Sequence, residues 1–555
     1  MSIFTRVPLP KIPKSLHNLS HPWLGTGKMG VLIPIFWRHA IPSEVYRDTT
    51  ECRITLKPLE APAMVNIDVS TFTFFVPDRL IHDNSQKYWT IIDSRLKPGS
   101  IQDSEVEYPP IRPKVQINGV TPGSLADYLG LAADDPYGNK INGMVTAMPF
   151  RAYQKIYNDF FRSKELEEEV PLYTGDHDVT QQLEQQHLQL RTRMWRKDYF
   201  TSALRTPQAG PDVRLPLGTG VQPLSRIQSE PLMMAIDGNP GPGGATRVQR
   251  VAGSGGQGTD EYPDEARLGL HYGLLSDENF SRHFKVMADN YGIDLDVLKQ
   301  AVGLDLSNIP GITITEERKL HAIQRILELM SWSGPDYPDQ LRVFFGIQPD
   351  DARMQRPEII SITRSPLMIS PVMQMSQSNP DAPLGDLAGH GSMTSVAGSW
   401  RFRAKEHGII MTLLCVNPQP MYTSAVQREW FKDDILDYLW PQLSNIGEQE
   451  IWQGEIWPYG DSSEWKNLFG WSPRYSEYKY YPGSVHGDFM KETMAHWHLA
   501  RMFENKPVLN EEFVHMQPEE MSRIFADTSG QDDHMQIQLF HRMKALEPCT
   551  KYGVR

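Results

Sequence analysis

The nonapeptide GIIMTLLCV (408–416) constrains the fold more than any other segment of the chain. It is continuously apolar, as expected of a strand buried on both faces, and far too short to span a membrane as a helix. Such a strand needs neighbours on either side. Segments of matching character lie at the other end of the chain: MGVLIPIFW (29–37), RITLK (53–57) and VNIDVSTFTFFVP (65–77). Each is short, β-branched or aromatic, and bounded by turn residues. Two strand-rich blocks result, 29–92 and 400–503, with 332 residues separating Val76 from Ile409. If the blocks form one sandwich, strands distant in sequence must pair, as in a jelly roll of two interleaved Greek keys. Two separate β domains would fit the same pattern. In 65–77 the apolar parity slips, from Val65, Ile67 and Val69 to Phe72, Phe74 and Val76. With a side-chain period of two, that predicts a bulge or a change of buried face near Ser70.

Between the blocks the pattern turns helical. PFRAYQKIYNDFFRSKELEEE (149–169) carries Pro149 in its first turn and repeats Phe150, Tyr153, Tyr157 and Phe160 at helical spacing. TITEERKLHAIQRILELMSW (313–332) opens on Thr313 and Glu316, a capping-box pair, and continues with Leu320, Ile323, Leu327 and Met330. Both stripes read as core. The stretch GNPGPGGATRVQRVAGSGGQGTD (238–260) lacks apolar periodicity and reads as an extended loop. The 43 prolines point the same way, to ordered loops rather than long helices.

A chain of 555 residues would ordinarily hold three or four domains at about 150 residues each. No apolar run has membrane-spanning length, and the N-terminus lacks the features of a signal peptide, so no membrane insertion and a cytoplasmic product are expected. Cys52, Cys415 and Cys549 are too few and too scattered for a disulfide framework or a zinc site. The charge is asymmetric. Residues 1–43 contain Arg6, Lys11, Lys14, Lys28 and Arg38 and no acid, while the remainder carries 50 basic and 68 acidic residues, a net of −18. A protein wrapping nucleic acid over its whole surface would be basic throughout. Any such contact here must be local.

The short motifs weigh against catalysis. GSGGQG (253–258) fits the dinucleotide spacing, but no strand feeds it and no helix follows to receive a pyrophosphate. His496 and His498 would share one side of a strand, yet no third metal ligand is spaced to join them, so packing or interface histidines are expected. No cofactor is implied, although Asp350, Asp351, Asp433 and Asp434 could hold an inter-subunit divalent cation. KDDILDYLWPQLSNIGEQEIWQGEIW (432–457) sets Trp440, Trp452 and Trp457 among carboxylates. A β-sandwich glycoside hydrolase would show that combination, and it is the alternative function. Aromatic-rich subunit contacts would show it too.

Larger signatures run from end to end: FFVPDRLI (74–81), WRKDYFTSAL (195–204), DARMQRPE (351–358) and VHGDFMKETMAHWHLARMF (485–503). SHPW (20–23), PLEAPAMVNIDV (58–69), LHAIQR (320–325) and PVLNEEF (507–513) accompany them. In this order they resemble the major capsid proteins of microviruses, small single-stranded-DNA phages, and especially the gokushovirus-like branch. The resemblance implies a mainly β fold, a single eight-stranded antiparallel jelly-roll barrel with long helical and loop insertions. It implies no enzymatic activity, and a T=1 icosahedral shell of many copies in the virion, assembled in the host cytoplasm. On this basis the expected division is a basic arm with the first strand (1–43), the first half of the jelly roll (29–150) and a helical or loop insertion (151–218). A surface insertion (219–312) follows, then a second helical or loop insertion (313–399), the second half of the jelly roll (400–520) and a C-terminal extension (521–555). The partners implied are further copies, viral single-stranded DNA, a small basic DNA-binding virion protein, a DNA pilot protein and a host surface receptor reached through 219–312. The DNA-contact candidates are Arg6, Lys11, Lys14, Lys28 and Arg38, with Trp23 and Trp37 as stacking platforms. The subunit-interface candidates are Trp440, Trp452, Trp457, His496, Trp497 and His498.

Overall fold

A computed structural model describes residues 14–90, 112–135, 137–176, 186–208, 210, 233–236, 248–251, 267–268, 314–333, 342–343, 350–373, 387–444, 446–527 and 533–549. The chain divides into two units, 1–211 with 325–555, and 212–324.

The first unit is organised by one antiparallel sheet. Its N-terminal strands are β1 (Ser15–Asn18), β2 (His21–Gly27), β3 (Ile33–Ala40), β4 (Val45–Leu56) and β5 (Ile67–Pro77). A separate pair follows, β6 (Lys114–Asn118) with β7 (Asn142–Thr146). The second unit contributes β8 (Met233–Ile236), β9 (Val248–Val251) and β10 (Arg267–Leu268), a small sheet of its own in the order β10-β8-β9. The first unit resumes with β11 (Glu358–Met373), β12 (Leu387–Arg403) and β13 (Gly408–Pro418), then the ribbon β14 (Glu448–Trp452) with β15 (Leu468–Pro473), and ends on β16 (Met535–His541) and β17 (Lys544–Glu547). The main sheet runs β1-β17-β4-β12-β11-β5-β13-β3, with β16 between β2 and β4. It thus has ten strands among the described residues rather than eight. The curled antiparallel sheet is a half-barrel consistent with the expected jelly roll.

The long-range pairing is direct. Ile409 lies opposite Val76, and Leu539 opposite Cys52. All eleven residues of β13 are buried. Ile409, Met411 and Leu413 enter the main core, and Ile410 joins Phe75, Tyr46 and Trp400 in a second one. A helix, α1 (Met148–Ile156), supplies Phe150 and Tyr153 to the main core, and the Tyr153 hydroxyl donates to the Leu32 carbonyl at 2.9 Å. The predicted helix over 149–169 stops early. A π-helical turn, Tyr157–Phe161, closes with the Arg162 amide on the Tyr157 carbonyl, and Arg162 is already extended. This turn aims Phe160 and Phe161 at Phe74 and Phe72, with ring centroids 4.9 and 5.1 Å apart.

Three further expectations change. Strand β5 keeps unbroken register with β13 from Ile67 to Pro77, so no bulge interrupts it at Ser70. Both of its faces are covered from Val69 onward, which lets either parity be apolar. The one irregularity in its β11 partner lies between Ile359 and Ser361. Second, the block 400–503 holds only β13 and the last residues of β12 from the main sheet. The other late strands are β11 and β12 before it, and β16 and β17 inside the supposed extension 521–555. Third, Val248–Val251 of the glycine-rich stretch is strand, not loop. The second helix, α2 (Ile314–Ser333), falls where expected, while Thr313, the first member of its capping pair, lies outside the described residues. Most of 219–312 lies outside them too. Among the described residues no helix is long and apolar enough to cross a membrane.

Candidate subunit interface

After β13 the chain leaves the sheet, and 419–527 folds through short 3-10 turns around the β14–β15 ribbon. Tyr199, Phe200, Tyr422, Ile451, Ile456, Phe469 and Phe513 form its core. Along one stretch the apolar side chains stay outside. Turns at Arg428–Phe431, Ile435–Asp437 and Pro441–Leu443 bury Phe431 but leave Trp430, Ile435, Leu436, Tyr438, Leu439 and Trp440 exposed. Trp430 is 80% exposed and Ile435 66%. The local sequence explains this. ILDYLW is apolar at nearly every position, so neither a helical nor a strand period could hide it on one face. Tyr478 and Tyr481, the latter 72% exposed, stand beside this stretch.

The stretch is firmly held despite its exposure. Asp437 accepts the backbone amides of Asp433 and Asp434, each at 3.0 Å, and completes a capping box. The Trp440 indole donates to the Ile435 carbonyl at 2.9 Å, and the Trp440 amide donates to the Tyr475 hydroxyl at 3.2 Å. Lys432 donates to the Tyr478 hydroxyl at 2.9 Å and pairs with Glu477 at 3.4 Å. Beneath it Arg428 meets Glu455 at 3.0 Å, both buried, and the guanidinium lies 3.9 Å from the Trp452 ring centroid. Burial pushes the Glu455 carboxyl up, while Arg428, the Trp452 amide at 2.9 Å and the Tyr199 hydroxyl at 2.8 Å favour its charged form. Glu455 is thus the sealed partner of Arg428, and it lines a small cavity together with Glu477.

Two of the end-to-end signatures tie distant segments together, through Asp78, Arg79 and Asp198, while DARMQRPE closes on itself. Asp78 is buried and accepts from Arg112 at 2.8 Å and the Trp89 indole at 3.1 Å, with His39 also at 3.1 Å. Although burial opposes it, this company holds the Asp78 carboxyl below its ordinary range. Arg79 pairs with Glu406 at 2.9 Å. Asp198 accepts from the Tyr422 hydroxyl at 2.7 Å and the Thr201 amide at 2.8 Å, and Arg356 pairs with Asp351 at 2.6 Å.

The sequence-derived candidates separate. Of the interface set, Trp440 is exposed on the stretch just described, Trp457 is half-buried against the Phe469 core, and Trp452 is buried under Arg428. His496 and His498 are not on a strand. A 3-10 turn, Glu492–Trp497, leaves His496 and Trp497 half-buried, and buried His498 bonds the Phe489 carbonyl at 2.9 Å. Of the DNA set, Arg6 and Lys11 lie outside the described residues. Lys14 donates to the Ser43 carbonyl at 2.8 Å, and Arg38 pairs with Glu547 at 2.6 Å. Lys28 is half-buried. Trp23 and Trp37 pack against the main core, the Trp37 indole donating to the Leu129 carbonyl at 2.6 Å, so neither offers a free stacking face. Of the acids proposed for a cation, Asp351 pairs with Arg356 and Asp433 with Lys466, Asp434 caps a turn, and Asp350 is exposed. They do not converge. Trp430, Ile435, Leu436, Tyr438 and Leu439 were not among the candidates, and the run ILDYLW, broken only by Asp437, was the signal for the last four.

A family described as Capsid protein (F protein) matches residues 5–554. The chain is also similar to three proteins named Capsid protein VP1. That of Bdellovibrio phage phiMH2K is 29% identical, covering 92% of this chain and 89% of that one. That of Chlamydia phage 1 is 28% identical over 92% and 90%. That of Spiroplasma virus 4 is 25% identical over 98% and 95%.

Proposed function

The chain belongs to the phage capsid protein (F protein) family, and from that premise we propose that its copies meet through the exposed stretch 428–447 together with Tyr478 and Tyr481. As a member of this family it is a structural protein of the virion capsid that self-assembles into a shell, and not an enzyme. One observation carries the interface: large apolar side chains held rigidly in water by buried ion pairs and a capping box. Contiguous exposed apolar surface of this kind marks association sites, and Trp and Tyr anchors fixed in advance lose little entropy on docking. The paired change Trp430→Ser and Leu436→Ser should leave the subunit folded, by circular dichroism, while abolishing shells in gradient sedimentation. Shells formed in wild-type yield would overturn the interface.

The inner-surface function is nucleic-acid contact through the arm ahead of β1. Arg6 and Lys11 carry it, since Lys14 and Arg38 already have partners and both tryptophans serve the core. Two charges per copy neutralise little of a genome, so a small basic DNA-binding protein is the implied partner. A pilot protein, a host receptor engaged through 219–312, and assembly in the host cytoplasm complete the proposal.

A further inference from the structure

Strands β1 and β17 pair antiparallel, with Ser15 opposite Glu547 and His17 opposite Ala545. Cys549 follows two residues after Glu547. The pairing therefore brings together His17 and Cys549, 532 positions apart in sequence. His17 Nε2 lies 3.3 Å from Cys549 Sγ and 4.0 Å from Glu547 Oε2, and Sγ lies 3.6 Å from that oxygen. Zinc bonds of about 2.0–2.1 Å to nitrogen and oxygen and about 2.3 Å to sulfur, set at tetrahedral angles, separate three such ligands by about 3.3–3.6 Å. The triangle already has nearly that size, and only its His–Glu side is too long.

The carboxylate is also held in place. Glu547 accepts from Arg38 at 2.6 Å through Oε1, which leaves Oε2 toward the histidine and the cysteine. An outer hydrogen bond of this kind orients a ligating carboxylate. We propose that His17, Glu547 and Cys549 form a zinc site of three protein ligands, with a fourth position open to solvent beside the exposed thiol. A thiolate, an imidazole and one carboxylate favour zinc over calcium or magnesium, which prefer all-oxygen shells. The ion displaces the thiol proton, and no electron is transferred. Its role is to fasten the first strand to the last, because β1 is only four residues long and, among the described residues, pairs with β17 alone. Sequence spacing excluded this site; strand register assembles it.

The test uses the full-length protein, stripped with chelator under reducing conditions and titrated with zinc. One zinc per chain is expected by elemental analysis. Zinc should also slow maleimide labelling of Cys549, the exposed cysteine of the three. Cobalt in place of zinc should give the thiolate charge-transfer band. His17→Ala and Cys549→Ser should lose the metal, and Arg38→Gln should weaken it about 10-fold. Labelling of the wild type unchanged by zinc, or zinc content undiminished in both ligand variants, would overturn the site. The labelling arm needs no variant to fold, and none of these readouts depends on shell formation.

Discussion

Glu448 begins β14 with its Oε2 buried and without a hydrogen-bond partner. Burial first, and the nearby Glu328 carboxylate second, push its pKa up to about 7. The folded state thus holds this proton more tightly than the unfolded chain does. Glu448 favours folding below the ordinary glutamate range, and that contribution is lost as pH rises through about 7. Glu448→Gln should therefore melt like the wild type at pH 5 and above it at pH 8. An equal difference at both pH values would refute the assignment. Arg428 is the opposite case, since removing it strands Glu455 in the interior. Arg428→Ala should destabilise by about 3–5 kcal/mol in urea unfolding; a loss within error of zero would show that the pair is solvated. At this scale the sequence displayed residues without their partners. Asp78 and Asp198 stood inside recognisable signatures, but Arg112 and Tyr422, which explain them, lie outside those signatures.

Strand β16 lies between β2 and β4, in register with both along its whole length. A chain ending at residue 533 would expose Ile54, Cys52 and Trp23 and leave β2 without a neighbour. It should be insoluble or unfolded, whereas a chain ending at 549 should fold; a native-like near-ultraviolet spectrum from the shorter chain would contradict this topology. Within β13, Leu413→Ala should lower stability by about 2–5 kcal/mol, because the closely covered strand cannot collapse into the void. Strands buried on both faces, β5 and β13, were legible from composition alone. Strands β11 and β12 were not, because Pro366 and Pro371 interrupt the first and serine, threonine and glycine occupy much of the second. Gly389 shows why glycine is needed there: a Cβ would come within 2.6 Å of the Ala61 carbonyl oxygen. β16 alternates buried and exposed along MQIQLFH and was readable. It lies inside the expected C-terminal extension 521–555.

For the whole molecule, the first sheet is closed by segments from both ends of the chain, so neither end can complete it alone. Pairing across such separations should make folding slow. The exposed apolar side chains Trp430, Ile435, Leu436, Tyr438 and Leu439 belong to a different level of organisation, since the subunit leaves them in solvent. Sequence reading reached the shell through resemblance; of its interface candidates Trp440 is exposed, whereas the subunit keeps Trp452 and His498 for its own interior. Deleting residues 1–13 should leave assembly intact and lower the absorbance ratio at 260 and 280 nm of purified particles. An unchanged ratio would remove the arm from DNA contact. The most direct test of the account is an electron cryomicroscopy reconstruction of particles assembled from this chain. The predicted result is a closed shell in which Trp430, Ile435, Leu436 and Leu439 are buried against a neighbouring copy. A shell that leaves these side chains in solvent would contradict it.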